Sequence, residues 1–267
     1  MLKSIIALAL IGCFAVPAMA DEDSERAAHW QELQQAFFGD RTVQPGEGTV
    51  SLDAPMRALD ASLVPVSIVT APDSKVTGLY LVIDDNPGPL AAYVTYGPRG
   101  DPGLLTLRVR VNQYTLMHAV AETAGGRLIG SERFVKAAGG CSAPVGANEA
   151  QSLAEIGRMK LRISGPVEAD KPVLAQLMIR HPNFNGMQMN QLTRLYTPMR
   201  IVKTVDITLN GEPVLSLDGD ISLATDPVIG FRFVPRPDSL PAKLHVVVRD
   251  SDNAVFEQSF DVPASGS

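Results

Sequence analysis

The hydrophobic pattern divides the chain into three unequal stretches. The first is a single apolar run, Ile5 to Val16, behind one positive charge at Lys3 and closed by Ala18-Met19-Ala20. That arrangement predicts a signal peptide over residues 1–20. The run is too short for a transmembrane helix and no later segment is longer, so no membrane span is expected. Leu10-Ile11-Gly12-Cys13 also reads as a lipobox, a rival that would leave Cys13 lipidated.

After the leader, Ser24 to Phe38 carries Ala28, Leu33, Ala36 and Phe37 near helical spacing, behind a capping serine, and predicts a short N-terminal helix. The period then changes. Apolar-rich runs of strand length follow at Thr49–Asp53, Val64–Ala71, Gly78–Asp84, Ala91–Tyr96, Leu104–Val111, Leu116–Thr123 and Leu128–Val135. Turn material such as Asn86-Pro87-Gly88 and Gly97-Pro98-Arg99-Gly100 separates them. The pattern breaks at Ala137–Gly146, which is built of small and turn-forming residues, and a short helical stretch runs from Asn148 to Ile156.

Strands resume at Met159–Ser164, Val173–Arg180, Val202–Leu209, Pro213–Leu217, Ile229–Val234, Lys243–Arg249 and Ala254–Val262, with a hairpin signal at Asn210-Gly211. The fold class expected is all-β: two immunoglobulin-like β-sandwich domains joined by a Gly-rich cysteine arm, after a short N-terminal helix. The boundaries expected are 21–136 for the first sandwich with its helix, 137–158 for the arm and linker, and 159–267 for the second sandwich. Each sandwich is expected to have its own core. His181 to Tyr196 is a long polar insertion in the second and a candidate interaction site.

Charge and composition exclude more than they assign. With 23 Lys+Arg against 29 Asp+Glu and a net charge of −6, the chain has no basic stripe for nucleic acid. Four histidines, far apart in sequence, give no metal-site spacing, and His118 and His245 read as structural residues within strands. The Gly-Gly pairs lack a phosphate-loop signature, and Ser142 lacks a nucleophile elbow. Met187, Met189 and Met199 read as packing rather than as soft copper ligands. No cofactor, no metal and no catalytic residue is expected.

Cysteine usage changes the picture. Removal of the leader leaves Cys141 alone, in a compartment where thiols are normally paired. It follows Gly139 and Gly140, which read as the source of arm flexibility, and a Gly-rich arm of this length reaches about 15–20 Å. Cys141 is therefore expected to be mobile, solvent-accessible and reactive. Serine in its place is expected to remove function at little cost to folding.

The residues around Cys141 resemble a known family. Val135-Lys136-Ala137-Ala138-Gly139-Gly140-Cys141 is similar to the carrier end of SoxY, the sulfur-carrying subunit of periplasmic thiosulfate oxidation. Leu81–Ala92, with its Asn-Pro-x-Pro-Leu core, and Val64–Ile68 extend that resemblance upstream. Met159–Val262 resembles SoxZ through Arg180-His181-Pro182, Leu209-Asn210-Gly211-Glu212 and Asp226–Phe233. The whole looks like the fused SoxYZ-like carriers associated with quinoprotein dehydrogenases. Two features depart from the pattern: Ser142-Ala143 stands where SoxY has two glycines, and the arm is internal.

The resemblance implies a periplasmic carrier, not an enzyme, that holds a thiosulfate- or sulfane-derived sulfur species covalently on Cys141. Periplasmic sulfur-transfer or c-type cytochrome enzymes would be its partners, with a possible link to quinoprotein dehydrogenases. Apart from the resemblance, His181, which opens the long insertion, reads as the histidine best placed for a partner contact. The alternatives are a non-covalent accessory or chaperone of a quinoprotein dehydrogenase system, and a redox thiol switch.

Overall fold

The computed structural model describes residues 18–144, 149–190, 193–237 and 240–263. The leader assignment, and Cys13 with it, falls almost wholly outside them. The predicted helix is present as α1 (Ala18–Phe38), starting more than a turn before Ser24. The described part of the second predicted helix is α2 (Glu149–Ala154). Among the described residues no helix is long and apolar enough to cross a membrane.

The other named elements are strands, numbered in chain order. A nine-stranded sheet runs β1 (Val43–Pro45), β8 (Leu128–Val135), β7 (Thr115–Thr123), β4 (Val76–Ile83), β5 (Leu90–Tyr96), β12 (Glu212–Gly219), β11 (Val202–Leu209), β14 (Ala242–Asp250) and β15 (Val255–Val262). Against it lies a six-stranded sheet, β2 (Val50–Asp53), β3 (Val64–Thr70), β6 (Gly100–Val109), β13 (Val228–Phe233), β10 (Val173–Ile179) and β9 (Met159–Ser164). The fold is all-β, two immunoglobulin-like sandwiches behind an N-terminal helix, and every predicted strand has its counterpart.

The burial of each strand follows from what covers it. β3 alternates strictly, with Val64, Val66, Ile68 and Thr70 buried, because only one face meets the core. β7 is buried on both faces, because α1 lies over its outer side. There Phe38 packs with Val120 and Leu128, and its ring meets the edge of Tyr80 at 5.1 Å. Trp30 stacks on His118 at 3.7 Å, and His118 Nε2 lies 3.0 Å from Asp84 Oδ2. His118 is thus a structural residue with a buried partner.

The expectation of separate cores is not met. β5 pairs antiparallel with β12 from Leu215↔Tyr96 to Gly219↔Ala92, and β6 with β13 from Gly230↔Thr106 to Phe233↔Gly100. Both sheets therefore cross from one half of the chain to the other. Val94, Leu105, Leu217 and Phe231 belong to one continuous apolar cluster. The reason lies in the edges: an open sandwich leaves unpaired N–H and C=O groups along its outer strands, and here each half caps the other's. β6 also begins earlier than expected, at Gly100, because the ladder tolerates Pro102 at a register shift between Phe231 and Arg232.

A shared core predicts shared melting. Calorimetry of the intact chain is expected to show one cooperative transition with equal calorimetric and van't Hoff enthalpies. Two resolved transitions would mean that the halves melt independently and that the seam contributes little.

Candidate functional site

The seam ends in a turn that the sequence marks strongly. Asn86, in Asn86-Pro87-Gly88-Pro89, is buried. Its Nδ2 donates to the Arg110 carbonyl at 2.7 Å and to Ser222 Oγ at 2.8 Å, and its Oδ1 accepts from the Asn112 N–H at 2.8 Å. Ser222 Oγ donates in turn to the Gly88 carbonyl at 2.8 Å. One amide side chain thus ties the turn, the chain leaving β6 and the second half of the molecule together.

Cys141 lies against this junction, and it is buried, not exposed. The Gly139 N–H donates to the Asn112 carbonyl at 2.8 Å and the Gly140 N–H to the Val111 carbonyl at 2.9 Å. Asn185 Nδ2 donates to the Cys141 carbonyl at 2.8 Å from the other half. Gly139 has a left-handed φ of 76°, where a side chain would be strained. A Cβ on Gly140 would collide with the backbone carbonyl of Ala61.

The expectation of a free arm is therefore corrected: Gly139 and Gly140 serve close backbone approach, and the arm is docked. The docking stops abruptly, since Ser142 is exposed. Burial pushes the Cys141 thiol up to about 11, against the opposing pull of the Arg110 charge. At neutral pH the docked thiol is therefore held in its protonated form, so the docked state is chemically quiet.

The insertion His181–Tyr196 supplies the second wall. His181, Pro182, Asn183, Phe184 and Asn185 are all buried. The Asn183 N–H donates to His181 Nδ1 at 3.0 Å, which places the imidazole proton on Nε2, 3.6 Å from Asp250 Oδ2. Asn183 Nδ2 donates to the Leu223 carbonyl and its Oδ1 accepts from the Val202 N–H, so the segment is bolted onto the second sandwich. His181 as a partner contact is corrected accordingly: it is an interior anchor, and the exposed part of the insertion is its tip, with Leu195 and Tyr196.

Sequence reasoning missed Arg110, Asn183 and Asn185. Arg110 is 2 % exposed; it donates through Nη2 to Thr225 Oγ1 at 2.7 Å and the Asn183 carbonyl at 3.3 Å, and through Nη1 to the Gly140 carbonyl at 3.4 Å. Exposed apolar side chains include Met56, Leu59 and Leu63 before β3, Tyr114 before β7, Leu195 and Tyr196 on the insertion, and Met199 just after it. A cavity of about 560 Å³, with Trp30, His118 and Glu132 in its lining, includes neither Cys141 nor Arg110. Among the described residues no group of His, Cys, Asp and Glu side chains is placed to hold a metal.

Comparison with known proteins sets this geometry in a family. Residues 34–141 match sulfur oxidation protein SoxY, and residues 161–261 match sulphur oxidation protein SoxZ. The chain is a fused SoxYZ-like protein. The SoxY match ends on Cys141 itself, and the two matches together span most of the chain. Comparison with curated protein sequences gives no match.

Among solved structures, the sulfur carrier protein SoxY from Chlorobium limicola f thiosulfatophilum is 24% identical over 44% of this chain and 99% of its own, with a TM-score of 0.38. A tetra-tandem repeat in the extending region of a large adhesion protein is 12% identical over 80% of this chain and 48% of its own, with a TM-score of 0.25. The family assignment rests on the two sequence matches. It places this SoxYZ-like chain among sulfur oxidation proteins, and the stretch between the two matches begins directly after Cys141.

The buried histidine gives a pH signature. Burial, opposed by Asp250, lowers the His181 pKa below its ordinary value near 6.5. The unfolded chain then takes up the proton first, so this contribution is complete above about pH 6.5 and is lost as pH falls from there through the folded pKa. In His181→Asn, whose side-chain oxygen can still accept from the Asn183 N–H, overall stability is expected to drop by about 1–3 kcal/mol. The loss of unfolding free energy between pH 7.5 and 5.5, read from urea titrations, is expected to be smaller than in the parent. An unchanged slope would show that His181 titrates alike in both states.

Proposed function

We propose that this protein is a periplasmic covalent carrier that holds a thiosulfate- or sulfane-derived sulfur species on Cys141 and presents it to partner enzymes. The observation that carries the proposal is the placement of Cys141: the last residue of the SoxY match, behind two glycines, docked where the SoxY and SoxZ parts meet. In loading, the Cys141 thiolate attacks the electrophilic sulfur of a donor, an S–S bond forms, and the donor's leaving group departs with the electron pair. The protein contributes a nucleophile and docking surfaces; bond activation falls to its partners.

Burial adds a gate to this reading. The docked thiol is un-ionised and closed to solvent, which protects it in an oxidising compartment; chemistry requires the arm to lift. The anchors are few, chiefly the hydrogen bonds of Gly139, Gly140 and Cys141. Lifting is therefore a local opening and does not require unfolding. The exposed Met56, Leu59, Leu195 and Tyr196 on the surrounding loops favour a protein partner at this end, such as a periplasmic sulfur-transfer or c-type cytochrome enzyme. The burial of Cys141 equally favours a second reading, in which the protein is a non-covalent accessory of a quinoprotein dehydrogenase system and the cysteine is a passenger.

Thiol labelling separates the two. A chromogenic disulfide reagent is expected to modify Cys141 on the order of a hundredfold more slowly than an exposed thiol, yet at denaturant concentrations well below global unfolding. Gly140→Ala, whose methyl group collides with Ala61, is expected to raise that rate at least tenfold. Cys141→Ser is expected to abolish activity in any pathway assay that depends on the protein. Because the site is buried, the serine variant also loses about 1–2 kcal/mol of stability, so Cys141→Ala serves as the matched comparison. Labelling that tracks global unfolding alone, with an active serine variant, replaces the carrier with the accessory.

A further inference from the structure

We propose that the cavity between α1 and the β1 edge of the nine-stranded sheet is a binding site for a small organic cation, a molecule with an ammonium head on an apolar body. Cys141 does not line this cavity, so the site is a second one, independent of the thiol.

One histidine in the cavity wall carries the inference. His118 is 3 % exposed, and its Nε2 lies 3.0 Å from Asp84 Oδ2, a carboxylate oxygen that accepts the Nε2–H. Trp30 stacks on the imidazole at 3.7 Å with the two rings 1° from parallel. The ring is thereby fixed in place and in tautomer, and Nδ1 is left with a lone pair to offer. Nδ1 makes no hydrogen bond among the described residues. Glu132 Oε2 stands 3.7 Å from it, too far for one, and Glu132 lines the same cavity. Two acceptors thus face each other with no donor between them. A group that brings several N–H donors and a positive charge satisfies both.

The rest of the lining fits the same occupant. The cavity volume of about 560 Å³ falls within the range of small-molecule pockets, roughly 300–1,000 Å³. Trp30, Val43 and Pro45 supply an apolar wall, and Glu47, in the turn after β1, supplies a second carboxylate. No lysine or arginine lines the cavity, and among the described residues neither Glu47 nor Glu132 has one as an ion-pair partner. The fixed charges of the lining are therefore all negative, which repels anions and favours a cation able to donate to carboxylate and imidazole together. The occupant is organic and not a bare metal ion. Among the described residues no group of His, Cys, Asp and Glu side chains is placed to hold a metal, and an apolar wall offers such an ion nothing.

Trp30 is the only tryptophan of the chain, so its fluorescence reports occupancy of the cavity directly. Phenethylamine is titrated into the intact chain beside 2-phenylethanol, its neutral counterpart, and 3-phenylpropanoate, which reverses the charge. The amine is expected to change Trp30 emission saturably, with a Kd between about 10 μM and 10 mM for so small a ligand. The alcohol is expected to bind at least about tenfold more weakly, and the carboxylate to give no saturable change. High salt is expected to weaken the amine and leave the alcohol unaffected.

Glu132→Gln changes a side chain that is 63 % exposed and is expected to keep the parent Tm while weakening the amine about tenfold. Glu257→Gln, on β15 at the opposite edge of the sheet, is expected to bind as the parent does. The readout does not involve Cys141, so failure here leaves the carrier reading standing, and failure of the carrier reading leaves this site standing. Absence of a saturable change up to about 10 mM amine overturns the proposal, as does equal binding of amine and alcohol, or parent affinity in Glu132→Gln.

Discussion

The pairing of β5 with β12 and of β6 with β13 is the constraint on which the rest of the molecule depends. A sandwich of this size standing alone exposes edge strands, each a row of unsatisfied backbone groups. Joining two sandwiches edge to edge in both layers removes those edges and merges the cores. The merger also has a chemical result. The chain that leaves β6 carries Arg110 and Val111 to the end of the seam, where the insertion of the second half delivers Asn183 and Asn185. The pocket for Cys141 has one wall from each half, so it exists only because the seam does.

Burial at that pocket opposes reactivity. Desolvation raises the thiol far above the pH at which it would be nucleophilic, and the nearby guanidinium only partly offsets this. For a catalytic cysteine such an environment would be a defect. Here the thiol is held in its neutral form, and the backbone hydrogen bonds of Gly139 and Gly140 keep it docked.

The elements were legible in the sequence because each strand has one clean face or is short and bounded by turn residues. Val64–Thr70 shows the alternation directly, and Asn210-Gly211 marks its hairpin. β1 escaped because three residues, one of them proline, carry no period. The seam was illegible for a different reason: a strand that pairs with its own half and one that pairs with the other half have the same composition. Arg110 was missed because alternation along the predicted strand Leu104–Val111 gives Arg108 and Arg110 the same outward face, and Arg108 is indeed exposed. The arm, the insertion and Thr225 close over Arg110, and these distinguish the two. Cys141 itself was legible, but its setting was misread. Glycine before a thiol reads as slack in a chain, whereas here it is the condition for three backbones to meet without a Cβ between them.

That geometry bears on how an internal arm can do the work of a free one. A loop held at both ends loses little conformational entropy on docking, so a few backbone hydrogen bonds of about 1 kcal/mol each are enough to seat it. The same small sum makes it easy to unseat. Only an interaction that differs between the docked and lifted states can move such a balance. For the bare thiol that difference is the burial of one sulfur and its backbone. A change of 1.4 kcal/mol is a tenfold change in population, so a single interaction of that size made only in the docked state decides where the arm rests.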